Sequence, residues 1–169
     1  MSDLETSLAA QRRVADAFKT AALGVSDSVW NVPRAPGKWS PAQVTDHVGV
    51  TTRVARDAVA MKSGMGSIPA FLRPLVRALF LRPALKNGFP KKGKGPPIFA
   101  PAHAPMPRPD LIAKIDSEVA AFDTETRALE KAGKRTFVHG FFGEVSLADY
   151  VMFNALHFDH HREQLPVNA

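Results

Sequence analysis

Near its end the chain reads FNALHFDHHREQL, which places His157, His160 and His161 within five positions. Histidine side chains at that density can ligate a metal, shuttle protons or simply cap a polar helix end, and helical geometry separates the three. On a helix His157 and His161 lie one turn apart on the same face. Two imidazoles at that spacing can reach one ion. His160 points about 100° away from His161 and reads as an outer-shell or surface residue. Two ligands make a weak site, so a third is expected on another inward-facing helix. His47 is the candidate, because it sits amid Val44, Val48, Thr51, Ala55 and Ala58 on one mostly apolar face. Three neutral imidazoles suit a divalent transition metal, Zn²⁺ or Ni²⁺ first, with Fe²⁺, Mn²⁺, Co²⁺ and Cu²⁺ also compatible. Such a set leaves coordination positions open for water or substrate, which is what catalysis uses. Spacing alone leaves the plain alternative open: His47 as a core histidine bonded to backbone, and HFDHH as a solvated helix end.

These residues need helices to hold them, and four long helical segments can be read. The first spans about Ser2 to Leu23, with Leu4, Leu8, Val14, Phe18 and Ala21 as its apolar stripe. The second begins at KWSPAQ, where Ser40 is an N-cap, Pro41 suits the first helical position and Gln43 completes a capping box. It is expected to run to about Lys62 and stop near Gly64. The third covers about Pro109 to Ala132, with Leu111, Ile115, Val119, Phe122 and Leu129 at helical spacing and Gly133 as the stop. The fourth starts at Ser146, with Asp149 three positions on, and ends before Pro166. RTFVHGFF is the one short β-like run, and Gly140 interrupts it. The predicted class is all-α, a four-helix bundle. The 169 residues form one predicted domain, with residues 62–108 as a crossover insertion between the second and third helices. A crossover that long fits middle helices that run parallel, in up-down-down-up order. It carries its own short helical piece, PAFLRPLVRALFL, and then a Pro/Gly/Lys-rich stretch expected to be extended.

Composition excludes several classes of chemistry. The chain has no cysteine, so thiolate ligands, disulfides and a cysteine nucleophile are ruled out. No secretory signal and no apolar run long enough for a membrane span are legible, and the expected location is the cytoplasm. The net charge of +6 is concentrated in one segment. From Ala58 to Pro109 there are nine Lys or Arg and no Asp or Glu, while the remainder holds thirteen basic and sixteen acidic residues. A nucleic-acid partner therefore does not follow from the basic pI. Lys91, Lys92 and Lys94 lack interleaved aromatics, so a nucleic acid is not expected as a partner, and without a spanning run neither is a membrane.

GKWSPAQVTDHV resembles the start of the second helix in the DinB-like metalloprotein superfamily, with a tryptophan, a serine cap and a histidine seven residues after the cap. HGFFGEVSLADYVMFNALHFDHHREQL resembles the last helix of the same proteins, where a His-x-x-x-His pair is followed by Arg, one residue and Gln; here these are His157, His161, Arg162 and Gln164. The HGFFG entrance is most similar to a branch described only as a domain of unknown function. The resemblance implies a bundle with parallel middle helices and a three-histidine site on His47, His157 and His161. It also implies a small-molecule substrate, since characterised members include S-transferases and isomerases that use low-molecular-weight thiols such as mycothiol or bacillithiol. Bundles of this type often pair, so a homodimer is a further expectation.

Around the ligands, Tyr150 and Asn154 lie on the His157 face and are candidates for binding substrate or supporting the metal, as are Gln164 and His139. Asp159, Glu163 and Asp46 are expected to be surface charges, Trp39 a packing anchor and His103 solvent-exposed. The crossover helix is expected to cover the bundle with its arginines, Arg73 and Arg77, in solvent; the alternative is that it binds an anionic partner, a membrane surface or a substrate carboxylate. The leading expectation is a metal-dependent transferase or hydrolase acting on a small electrophile with a thiol or water. Its competitors are a non-catalytic module that docks an anionic partner through the basic crossover, and a protein that a metal merely stabilises.

Overall fold

The computed structural model describes residues 3–62, 66–90, 99–101 and 107–166. Its first helix, α1 (Leu4–Leu23), buries Leu4, Leu8, Ala15, Phe18 and Ala22, a stripe at helical spacing. A single turn, α2 (Asp27–Trp30), follows and was not foreseen in the sequence. Next is α3 (Pro41–Val59), opened by the expected capping box: Gln43 N–H donates to Ser40 Oγ at 3.2 Å, and Ser40 N–H donates to Gln43 Oε1 at 3.0 Å. These bonds satisfy two of the backbone donors that a helix start leaves unpaired. The helix ends three residues earlier than expected, with Met61 in the left-handed region at φ 55°.

The crossover forms a continuous helical strap: a 3-10 turn (Ala70–Leu72), α4 (Arg73–Val76), a π-helical turn (Arg77–Leu81) and α5 (Arg82–Asn87), closed by Gly88 at φ 77°. Leu81 and Leu85 seat it on the core, and Ala84 is buried between them. Its outward face is not the expected one. Arg73 is half-buried and donates from Nε to the Ile68 carbonyl at 3.1 Å, and Arg77 donates to the Glu144 carbonyl. Phe71, Leu75, Leu79 and Phe80 stand in solvent instead. Within the Pro/Gly/Lys-rich stretch, Lys91, Lys92, Lys94 and His103 lie outside the described residues, as does Gly64.

The chain continues as α6 (Arg108–Lys131), stopped at Gly133 with φ 77°, and then as a hairpin of β1 (Thr136–His139) and β2 (Gly143–Ser146). The strands pair antiparallel, with Phe137 opposite Val145 and His139 opposite Gly143. Phe137, His139 and Val145 turn inward and Val138 outward, the period of two that a half-covered strand requires. Gly140 does not interrupt this run but makes its turn. A Cβ there would collide with the Gly66 carbonyl, while the Gly140 carbonyl accepts Ile68 N–H at 3.2 Å and ties the strap to the hairpin. The last helix, α7 (Leu147–Arg162), is capped by Ser146 Oγ, which accepts Asp149 N–H at 3.0 Å.

The four long helices pack as α1 on α7 and α3 on α6, with α1 also touching α6 and α3 touching α7. Two apolar clusters result. One joins Leu8, Val59, Phe122, Phe137, Tyr150 and Val151. The other joins Phe18, Val44, Val48, Ile115 and Phe158, with the Phe18 and Phe158 rings edge to face at 5.8 Å. Phe18, Phe122 and Phe158 are fully buried, and truncating any one would cost about 3–5 kcal/mol. The mass of the protein is helical, as expected, with the small hairpin as its addition.

Candidate metal centre

His47 on α3 and His157 and His161 on α7 meet beside the second cluster, their ligand atoms within 4.8 Å of one another. His157 Nε2 lies 3.3 Å from His47 Nε2 and 3.0 Å from His161 Nε2. Two nitrogens bound tetrahedrally to one zinc at its usual bond length stand about 3.3 Å apart, so these spacings are those of a ligand set.

Proton placement points the same way. His47 Nδ1–H donates to the Phe99 carbonyl, which leaves Nε2 as a bare acceptor. His161 Nδ1–H donates to Gln164 Oε1 at 3.1 Å, with the same consequence. Thr51 Oγ donates its hydrogen to backbone carbonyls of its own helix, those of His47 and Val48 at 3.0 Å each. Its lone pairs then face His157 Nδ1 at 3.4 Å and favour the proton on that nitrogen. All three Nε2 lone pairs thus point at one place, an arrangement a cation relieves. Ligating histidines characteristically donate their other ring N–H to a fixed acceptor, and the donor set fits a divalent transition metal.

Electrostatics keep the rings neutral. Burial, then the positive charge that His47 would carry, pushes His161 down to about 3. Burial and then the neighbouring His161 and His47 hold His157 well below the ordinary histidine range. Burial also lowers His47. Neutral imidazole is the form that binds metal, so no proton has to be displaced at neutral pH.

Two aromatic rings wall the triad. Trp39 lies tilted at 4.7 Å from the His47 ring and stacks at 6.4 Å on that of His161. Phe89, just beyond the strap, meets His157 edge-on at 5.1 Å. Gln164 Nε2–H donates to His160 Nε2 at 3.0 Å, so His160 supports Gln164, which in turn orients His161. His160 is half-buried and acts at one remove.

Tyr150, Asn154 and His139 fall elsewhere. Asn154 Oδ1 accepts from Gln11 Nε2 at 3.2 Å, both residues buried. His139 Nδ1 accepts the Phe141 and Phe142 N–H groups at 3.1 and 3.3 Å, which puts its proton on Nε2 and aims it at Tyr150 Oη, 3.1 Å away. Their described hydrogen bonds run to one another, to the hairpin turn and to α1, not to the triad. Asp159 pairs with Arg162 at 2.8 Å on the surface, and Glu163 is exposed. Asp46 corrects the expectation: it is 4% exposed and binds Lys114 of α6 at 2.8 Å. Gly49 makes room, since the Lys114 stem lies across it where a Cβ would stand 3.3 Å from Cδ.

Sequence reading missed Thr51, Phe89 and the Phe99 carbonyl. Thr51 had a signal, four residues after His47 on its face. The other two come from the crossover and had none.

Compared with family models, the chain matches that of the DinB superfamily over residues 10–165. No curated protein and no solved structure gives a match.

Proposed function

The chain belongs to the DinB superfamily, and from that premise we propose a metal-dependent enzyme in which His47, His157 and His161 hold one divalent transition metal, zinc or nickel before iron, manganese or cobalt. The reaction would be transfer of a nucleophile, a low-molecular-weight thiol or water, to a small electrophilic substrate, in the cytoplasm. When bound, such an ion supplies Lewis acidity that makes a thiol or water a stronger nucleophile at neutral pH.

The observation that carries this reading is the convergence of three acceptor nitrogens whose opposite ring nitrogens are each tied to a fixed partner. The chain's own contribution is positioning. The Phe99 carbonyl, Thr51 and Gln164 set the three ring orientations. Trp39 and Phe89 exclude water on two sides and offer apolar surface to a substrate. We also read the four long helices as an up-down-down-up bundle with the whole chain as one domain. In its favour, the early halves of α1 and α7 share one cluster with the late halves of α3 and α6, and the opposite halves share the other.

The test is metal analysis of the purified protein and of His157→Ala. About one transition-metal ion per chain is expected in the wild type and almost none in the variant. A wild type that carries no transition metal, even after reconstitution, overturns the reading. A metal held with no exchangeable water, detected by spectroscopy on the cobalt-substituted protein, would instead favour a purely structural ion.

A further inference from the structure

The strap over Ala70–Asn87 presents its apolar side to water. Phe71 is 79% exposed, Leu75 55%, Leu79 60% and Phe80 62%, with Leu72 beside them. Amphipathic helices on a globular protein ordinarily do the reverse. The inversion is held in place from beneath, because Arg73 and Arg77 are spent on the carbonyls of Ile68 and Glu144 while Leu81 and Leu85 seat the strap on the core. Further along, Arg82 and Lys86 are exposed. Across residues 58–109 there is no acidic side chain.

We propose that this face docks reversibly on an anionic lipid bilayer. A stripe of Phe and Leu followed by free cations, with no carboxylate to repel headgroups, is the composition of a helix that lies in a membrane interface. The charge pattern argues against a second copy, because an isologous contact would bring these cations together with no anion in the segment to pair them. It argues equally against a nucleic acid, whose phosphates would meet hydrocarbon. The sequence-based expectation of no membrane partner rested on the lack of a spanning segment. Among the described residues no helix is long and apolar enough to cross a bilayer, but surface docking does not require one.

The full chain should be sedimented with vesicles of phosphatidylcholine alone and of phosphatidylcholine containing phosphatidylglycerol. Binding is expected to be roughly tenfold or more tighter to the anionic vesicles, the ratio that two cations near the surface supply, and to weaken in high salt. Leu75→Ser with Leu79→Ser, and separately Arg82→Glu with Lys86→Glu, should each reduce it by about tenfold or more. Both pairs are solvent-exposed, and unchanged helical content by circular dichroism would show that neither unfolds the chain. Equal or absent binding to the two vesicle types would overturn the proposal. So would anionic-vesicle binding that survives the Leu75/Leu79 change, or a wild-type dimer in solution that this change dissociates.

Discussion

At the start of α7, Tyr150 receives the Nε2–H of His139, whose Nδ1 already accepts two backbone N–H groups. Two turns further on, about 10 Å along the same helix, His157 and His161 have the opposite wiring. Their Nδ1 atoms face acceptors and their Nε2 atoms face His47 and each other. Both groups are withdrawn from water and both keep their rings neutral. What separates them is which nitrogen the backbone and neighbouring side chains have claimed. His139 spends both nitrogens on the protein and has none to offer an ion. Burial and a depressed pKa therefore do not distinguish a ligand from a structural histidine, whereas the second hydrogen bond of each ring does.

Crossed substitutions give the largest effects and would break this contrast if it is wrong. His161→Ala should weaken metal binding by more than about 100-fold, read by titration of the metal-free protein, and leave its thermal unfolding nearly unchanged. His139→Ala should leave the metal content at the wild-type level but cost about 2–4 kcal/mol of stability, because Tyr150 and two backbone N–H groups lose their partner in the core. Chemical denaturation of the metal-free proteins measures the second effect. A His139→Ala protein of full stability that fails to bind metal would reverse the assignment of the two groups.

Acid sharpens the same point. Burial pushes His139 down to about 4, against an ordinary value of 6.5. The unfolded chain binds this proton below about 6.5 and the native protein does not. Stability should therefore be lost as pH falls from about 6.5 to about 4, by about 3 kcal/mol for this residue in full. The triad histidines push in the same direction, so the measurement is the difference between wild type and His139→Gln. The variant should lose less stability over that interval, seen as a shallower dependence of the denaturation midpoint on pH.

The sequence made α7 legible in some detail: its Ser146 cap, its end before Pro166 and the shared face of His157 and His161 all follow from local rules. Ser40, Pro41 and Gln43 made the start of α3 equally plain. His47 could be placed because one polar ring among Val44, Val48 and Ala55 has to point inward. What local patterns could not give was anything decided by distant chain. Asp46 looked like an exposed helix charge until Lys114 crossed Gly49 to meet it. Arg73 and Arg77 looked like the solvent side of the strap because arginine usually is. Carbonyls of Ile68 and Glu144 claimed them and turned the leucines out. Gly140 looked like a break in a strand, and the hairpin closes there because no side chain is in the way of Gly66.

Smaller effects are expected in the shell that sets the ring orientations. Gln164→Leu removes the acceptor of His161 Nδ1–H and the donor to His160, and should weaken metal binding about 10- to 100-fold. Gln164→Glu keeps the acceptor and should retain most of the affinity, so a large loss in both would mean that the donation to His160, which both variants lack, matters more than the acceptor.

The smallest effect should be at Thr51. Its hydroxyl stands 3.4 Å from His157 Nδ1, the longest of the three supporting contacts, and is anchored mainly to the carbonyls of its own helix. Thr51→Val removes the hydroxyl, and with it the acceptor facing His157 and the donor to carbonyls whose helical bonds remain, so metal affinity should fall about two- to tenfold. Thr51→Ser keeps the hydroxyl and should lie closer to wild type. If Thr51→Val instead equals Gln164→Leu in a metal titration, the proton on His157 is fixed as firmly as that on His161. The three rings would then be supported alike, and the graded order argued from their distances would be wrong.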